Sequence, residues 1–104
     1  MKQISVVVKP FRAEAVLKTL EELGVDSWFV REAKGYSRQK GYLDQYLGGE
    51  YSMAFLPKVE IVALIQDSEL ERVCERVIKI ARTGRIGDGK VFVVEVTRGL
   101  ELSF

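Results

Sequence analysis

The chain contains no histidine and a single cysteine, Cys74. Histidine is the usual proton shuttle near neutral pH, and zinc sites are built from histidine and cysteine. A Cys–His nucleophile pair and a standard zinc site are therefore excluded, and one cysteine cannot form an intrachain disulfide. The carboxylates show no obvious catalytic pairing in the sequence either. We therefore expect a protein that is not an enzyme.

Long apolar runs and charge of one sign are also absent. No run approaches the ~18 residues needed to cross a bilayer, and the N-terminal MKQISVVVKP is too short and too mixed for a signal peptide. Sixteen Lys and Arg against fifteen Asp and Glu leave a net charge of +1, so no general affinity for nucleic acid is implied. With 104 residues and 47% hydrophobic content, the sequence predicts one folded, soluble, cytoplasmic domain.

The pattern of apolar residues predicts the order βαββαβ. Alternating or continuous apolar residues indicate strands at 4–8, 25–35, 55–66 and 90–96. Helical spacing indicates helices at 11–24, with Gly24 as a C-terminal cap, and at 67–82, with Ser68 and Glu71 in capping-box spacing. This order is typical of the α+β ferredoxin-like fold, a four-stranded antiparallel sheet with two helices on one face.

Three predicted strands are apolar on both faces. Consecutive apolar residues occur at 6–8, 61–65 and 91–94. Strands of this kind are usually buried on both sides, but two helices can cover only one face of the sheet. We therefore expect a homo-oligomer in which other subunits cover the second face.

The connection between the second and third strands, residues 36–54, is unusually long. Loops beyond ~12–15 residues are uncommon in compact domains and tend to be functional or disordered. This one is rich in glycine and tyrosine and carries Arg38 and Lys40 near its start. We expect this segment to have a function at the protein surface.

The glycine-rich segment TGRIGDGK at 83–90 allows two interpretations. In the first it is only a helix-to-strand turn, in which Gly84 caps the helix and Asp88-Gly89 forms the turn. In the second, the N–H groups of Gly87 and Gly89 lie beside Lys90 and the nearby arginines Arg82 and Arg85 and form an anion-binding nest. It is not a Walker P-loop, because the glycines precede a strand rather than a helix.

Taken alone, three other residues have ordinary structural interpretations. Cys74 lies on the apolar stripe of the second predicted helix, where a small core residue is expected. Lys58 is most simply a solvated lysine on the third strand. Phe29 is more typical of packing or an interface than of a base-stacking platform.

Four segments together resemble the PII signal-transduction family: KPF at 9–11, KGYSRQKG at 34–41, EYSMAFLPKV at 50–59 and ARTGRIGDGKVFV at 81–93. The similarity runs from residue 1 to about residue 96. The resemblance implies a single domain, 1–104, that forms a homotrimer with nucleotide sites between subunits. Residues 36–54 would be its T-loop, residues 82–90 its B-loop and residues 97–104 a short C-terminal segment.

The resemblance also implies roles for individual residues. The phosphates of the bound nucleotide, ATP, ADP or AMP, would be held by Gly87, Gly89 and Lys90 with Arg38 from the base of the T-loop. Arg82 and Asp88 would also belong to the nucleotide-binding site. Gln39 would help to coordinate Mg²⁺ when 2-oxoglutarate binds, and Lys58 would pair with a carboxylate of that ligand. Tyr51 matches a tyrosine that some members carry as a uridylylation site, and Tyr46 and Leu47 would contact a partner.

Several positions depart from the family pattern. Leu47 replaces a basic residue at the tip of the T-loop, and Ser37 replaces a glycine. Glu101 and Ser103 replace arginines that reach a neighbour's nucleotide. Phe29 replaces a small hydroxyl residue that contacts adenine. Two functions therefore stay open. One is a nucleotide-sensing regulator in nitrogen-related metabolism that docks its T-loop on a membrane transporter or an enzyme. The other is a PII-like trimer with weak or lost ATP and 2-oxoglutarate sensing that regulates a non-ammonium transporter, for bicarbonate or a metal cation.

Overall fold

The computed structural model describes residues 1–35, 56–85, 88–99 and 102. The strands are β1 (Lys2–Val8), β2 (Trp28–Gly35), β3 (Leu56–Ile65) and β4 (Gly89–Glu95), and the helices are α1 (Ala13–Glu22) and α2 (Leu70–Ala81). A 3-10 turn precedes each helix, at Pro10–Arg12 and Asp67–Glu69. The predicted order βαββαβ and the ferredoxin-like fold are confirmed.

The strands form one antiparallel sheet in the order β2-β3-β1-β4. Val6 on β1 pairs with Ile61 on β3 and with Val91 on β4, so these side chains share one face. The helices cover that face. The core between sheet and helices is apolar and includes Ile4, Val6, Val8, Val16, Leu20, Ile61, Val73 and Val77, each at most 2% exposed. The half-buried Cys74 packs against this core, as its position on the apolar stripe of α2 predicts.

We call the opposite side of the sheet the open face. It carries Gln3, Ser5, Val7, Phe29, Arg31, Lys58, Glu60, Val62, Leu64, Lys90, Phe92 and Val94. Its large apolar side chains Phe29, Leu64, Phe92 and Val94 are 54%, 40%, 51% and 51% exposed. One chain therefore leaves an apolar sheet surface in water, as expected for a subunit whose second face is covered by another copy.

Helix α1 is terminated by a glycine in the left-handed conformation. Gly24 has a φ of 80°, and the N–H of Val25 donates to the carbonyl of Leu20 at 3.0 Å while the N–H of Gly24 donates to that of Glu21 at 3.0 Å. These bonds form a Schellman motif, which confirms Gly24 as the cap of α1.

A prediction about the start of α2 and one interpretation of its end are wrong. The capping box does not form, because Ser68 lies in the 3-10 turn and Glu69 is the N-cap, without a side-chain capping bond. Gly84 does not cap the helix, which ends at Ala81 with an extended C-cap at Arg82. At this end the guanidinium of Arg12 donates a hydrogen bond to the carbonyl of Ile80. A cation placed there also complements the helix dipole.

In the part of the chain that the structure describes, neither helix is long and apolar enough to span a membrane.

Candidate functional site

The candidate site lies where the end of β1 meets the beginnings of β3 and β4. Val8 pairs with Val59 on one side and with Gly89 on the other. One step beyond, the antiparallel register brings Lys58, Lys9 and Asp88 into a row at the end of the open face. The ammonium of Lys9 lies 3.3 Å from a carboxylate oxygen of Asp88. We call Lys9, Lys58, Thr83 and Asp88 the strand-end cluster.

Asp88 is tied to the segment that follows α2. Its Oδ2 accepts hydrogen bonds from the N–H of Thr83 at 2.8 Å and from the N–H of Gly84 at 2.9 Å. Its Oδ1 accepts a hydrogen bond from the hydroxyl of Thr83. Burial acts to raise the pKa of Asp88, but these hydrogen bonds and one from Lys9 outweigh it and hold the pKa well below its usual range. The carboxylate is therefore ionised at all ordinary pH values.

Lys58 is buried, with 6% of its surface exposed, so its interpretation as a solvated lysine is wrong. Burial lowers the pKa of Lys58, and repulsion from Lys9 lowers it further, while Asp88 opposes both. Among the described residues, the cluster holds two lysines and one carboxylate. This combination of positive charge and partial burial suits an anionic ligand.

Gly89 is required by the backbone around it. Its φ is +127°, and a Cβ added there would collide with the carbonyl of Val7 on β1. Only glycine adopts this conformation without strain. The resemblance explains Gly89 by its approach to phosphate, and the structure adds the close approach of β1 as a separate reason. Lys90 follows immediately and is exposed on the open face.

The structure brings together the predicted nucleotide-binding residues that it describes, which are Arg82, Asp88, Gly89 and Lys90. A cavity of about 260 Å³ lies between the end of α2 and the start of β4, and its walls include Ile78, Ala81, Arg82, Asp88, Gly89 and Lys90. A second cavity of about 180 Å³ on the other side of the sheet is lined by Ser27, Phe29, Val62 and Leu64, among others.

The remaining predicted site residues lie outside the described residues. These are Arg38, Gln39, Tyr46, Leu47, Tyr51 and Gly87, together with the departures Ser37, Glu101 and Ser103. Among residues 1–35, 56–85, 88–99 and 102, no group of three or more His, Cys, Asp or Glu side chains is placed to hold a metal ion. The Mg²⁺ site expected at Gln39 stays a prediction.

Two members of the strand-end cluster, Lys9 and Thr83, were not predicted as site residues. Lys9 follows β1, and Thr83 follows α2, so nothing local marks either as part of a site. Their role depends on contacts with Asp88, which is far away in the sequence from Lys9. The motifs KPF and TGRIGDGK contain them and are the only signal that the sequence offers.

The chain matches the model of the family described as nitrogen regulatory protein P-II over residues 1–101. The chain belongs to this family. Nitrogen regulatory protein GlnK of Escherichia coli K12 is 46% identical over 102 residues, which cover 98% of this chain and 91% of that protein. Nitrogen regulatory protein P-II of Rhodospirillum rubrum is 44% identical over 102 residues, with the same coverage of 98% and 91%.

A third P-II relative, the nitrogen regulatory protein P-II of Azospirillum brasilense, is 48% identical over 96 residues, which cover 92% of this chain and 86% of that protein. These relatives are named as regulators rather than as enzymes. The P-II fold and the signal-transduction class predicted from the motifs therefore agree with the family to which the chain belongs.

Proposed function

We propose that this chain is a non-enzymatic signal-transduction regulator that binds an adenine nucleotide between the subunits of a homotrimer. Its T-loop, residues 36–54, then acts on a membrane transporter or a metabolic enzyme in nitrogen-related metabolism. The observation that carries this proposal is the strand-end cluster, which places two lysines beside the B-loop, residues 82–90.

Charge supports phosphate as the ligand of this region. Lys9 and Lys58 lie near one carboxylate, Asp88, and the exposed residues Arg82 and Lys90 line the same cavity as Asp88. Phosphate oxygens form strong charge-assisted hydrogen bonds with such groups and with backbone N–H groups. Arg38 from the base of the T-loop and the N–H of Gly87 complete the set that we assign to the phosphates.

The same cluster fits the carboxylate of 2-oxoglutarate. Lys58 is buried, and burial lowers its pKa, so a carboxylate that binds beside it would favour its charged form. Lys58 would hold that ligand's carboxylate, and Gln39 would contribute to the Mg²⁺ that the bound ligand and the nucleotide share. The metal would neutralise charge between the two anions.

We infer the homotrimer from the family resemblance, and the open face supports the association of copies. Its exposed apolar side chains lie on β2, β3 and β4, and a second copy is the partner that a closed symmetric assembly supplies. A site between subunits would use the strand-end cluster of one copy and the edge of a neighbour's sheet.

Calorimetry tests the proposal directly. ATP, ADP and AMP are each titrated into the protein, with and without Mg²⁺ and 2-oxoglutarate. We expect binding of at least one nucleotide, with ATP weakened relative to ADP or AMP because Glu101 and Ser103 supply no cation. Absence of binding by all three nucleotides would overturn the proposal.

A second function is favoured by Phe29. Its ring is 54% exposed and lines the 180 Å³ cavity, at a position where the resemblance calls for a small hydroxyl residue that contacts adenine. The alternative is a PII-like trimer with weak or lost ATP and 2-oxoglutarate sensing that regulates a non-ammonium transporter, for bicarbonate or a metal cation, by protein contact.

The tip of the T-loop provides a test of which kind of partner the protein binds. Leu47 cannot donate the hydrogen bonds that an arginine offers a polar pore, and it gains only from apolar burial of about 1.5–3 kcal/mol. A pull-down from membrane extracts compares wild type with Leu47→Asp and Leu47→Arg. We expect Leu47→Asp to lose the native partner, and full retention would remove Leu47 from the contact. Tyr51 stays a candidate for modification, which mass spectrometry of the native protein checks.

A further inference from the structure

The carboxylate of Asp88 faces into its own loop. It accepts hydrogen bonds from the hydroxyl and the N–H of Thr83 and from the N–H of Gly84, and it forms an ion pair with Lys9. Its side chain is 23% exposed. An ionised carboxylate offers about four lone-pair positions, and these four contacts account for that number.

This arrangement does not suit a direct contact between Asp88 and a phosphate. Two anions repel each other. A carboxylate that already accepts four donors inside the protein would also lose those contacts if it rotated towards the ligand. From the geometry we propose that the carboxylate of Asp88 has a positioning role: it fixes the B-loop through Thr83, Gly84 and Lys9 and does not itself contact the nucleotide. This inference rests on the proposed function and revises the direct role that the family resemblance implied.

The contacts join three parts of the chain. Thr83 and Gly84 follow the end of α2, Asp88 immediately precedes β4, and Lys9 follows β1. The bonds to Thr83 and Gly84 close the segment from 83 to 88 at its base, and Lys9 attaches that base to the central strand β1. The N–H of Arg85 adds a further bond to the hydroxyl of Thr83 at 3.3 Å. Holding residues 83, 84 and 88 together before the ligand binds reduces the entropy lost on binding.

The positioning role and a purely electrostatic role predict opposite effects of removing Asp88 on nucleotide affinity. If Asp88 were only a negative charge near the phosphates, its removal would strengthen nucleotide binding. If it holds the loop, its removal weakens binding although the site becomes more positive. We expect Asp88→Ala to weaken ATP or ADP binding at least tenfold and Asp88→Asn, which keeps one acceptor oxygen, to weaken it less.

Thr83 offers matched variants of the same contact. Thr83→Val keeps the shape of the side chain but loses the hydroxyl, whereas Thr83→Ser keeps the hydroxyl. We expect Thr83→Val to weaken binding severalfold and Thr83→Ser to bind as wild type does. Asp26→Asn, at an exposed position before β2, controls for the loss of one negative charge.

A measurement without ligand tests the contacts themselves. The amides of Thr83 and Gly84 both donate to Asp88, so hydrogen exchange followed by NMR should show them protected in wild type, in Thr83→Ser and in Asp26→Asn. In Asp88→Ala we expect both amides to exchange at least tenfold faster, while the core amides of β1 stay unchanged.

The binding and exchange measurements together distinguish failure of the proposed function from failure of the positioning role. If wild type binds no nucleotide, the proposed function fails, whatever the exchange rates show. If wild type binds a nucleotide and Asp88→Ala binds it equally or more tightly, the proposed function stands and the positioning role of Asp88 is overturned. Unchanged exchange of Thr83 and Gly84 in Asp88→Ala overturns it as well.

Discussion

Arg31 on β2 donates a hydrogen bond from its Nε to Oε1 of Glu60 on β3, at a distance of 2.6 Å. Ser5 on β1 donates to the other oxygen of the same carboxylate, and the guanidinium of Arg31 lies 5.7 Å from the centre of the Phe29 ring. These contacts place a polar network across three strands of an otherwise apolar open face. The hydrogen bonds from Arg31 and Ser5 lower the pKa of Glu60, against the effect of burial.

Glu60→Gln should reduce the free energy of unfolding near pH 7. The folded-state pKa of Glu60 lies below its usual value of 4.5, so its contribution is present above that pH and is lost as the pH falls through the folded-state pKa. Because Arg31 is largely exposed, we expect only about 0.2–1 kcal/mol. Urea unfolding at pH 7 and at acidic pH, at one protein concentration, measures the difference. Glu69→Gln, in an exposed pair with Arg72, is the control, and an equal loss in both variants would contradict this account.

Phe92→Asp should dissociate the assembly. Phe92 is 51% exposed on the open face, and a carboxylate there would have to be buried without a partner when copies associate. Light scattering at micromolar concentration should report a trimer for wild type and smaller species for the variant. Phe11→Asp is the control, since Phe11 is 70% exposed but lies in the 3-10 turn before α1. A stable folded wild-type monomer would refute the prediction.

Gly89→Ala should destabilise the fold more than Gly24→Ala. Both glycines have positive φ, at 127° and 80°, but an added Cβ meets the Val7 carbonyl at Gly89 and nothing within 4 Å at Gly24. We expect a loss of about 1–2 kcal/mol from backbone strain alone at Gly24 and a larger loss at Gly89. Thermal unfolding of the two variants ranks them, and equal destabilisation would show that β1 yields to the extra methyl group.

Lys90→Ala should weaken nucleotide binding. Lys90 is exposed beside the strand-end cluster, and a charge-assisted hydrogen bond to a phosphate contributes about 1.5–3 kcal/mol, which corresponds to roughly tenfold or more in affinity. Calorimetry compares it with Lys18→Ala, an exposed lysine on α1. Unchanged affinity in Lys90→Ala would favour the interpretation of residues 83–90 as only a helix-to-strand turn.

Lys58→Gln should change how stability depends on pH at the alkaline end. The folded-state pKa of Lys58 lies below 10.5, so the unfolded chain binds more protons between the folded-state pKa and 10.5. Stability from this residue therefore rises with pH through that window, and the rise should be missing in the variant. Denaturant unfolding across this range, with the exposed Lys79→Gln as control, measures it. Parallel curves for wild type and Lys58→Gln would be inconsistent with a lowered pKa.

The element order could be predicted from the sequence because each element carries its own local signal. The apolar periods distinguish strands from helices, and Gly24 marks the end of α1 through a left-handed conformation that favours glycine. The start of α2 could not be predicted in the same way. Ser68 and Glu71 have the right spacing, but Asp67–Glu69 forms a 3-10 turn that moves the N-cap to Glu69.

The candidate site was only partly predictable, since its geometry depends on strand register. Lys58 looked like a surface lysine because a sequence does not show that β1 and β4 bring Lys9 and Asp88 beside it. Asp88 was assigned to the nucleotide by resemblance, whereas its hydrogen bonds to Thr83 and Gly84 turn it towards its own loop.

The position of β4 has a consequence for making the protein. This strand lies at an edge of the sheet, and its side chains Phe92, Val93 and Val94 are 51%, 48% and 51% exposed, on both faces. An apolar strand with an open edge can add any other extended chain, correct or not. A folded subunit that has not yet associated with other subunits is therefore the species most prone to aggregate. Slow expression at low temperature, which keeps such subunits scarce, should favour a soluble yield over inclusion bodies.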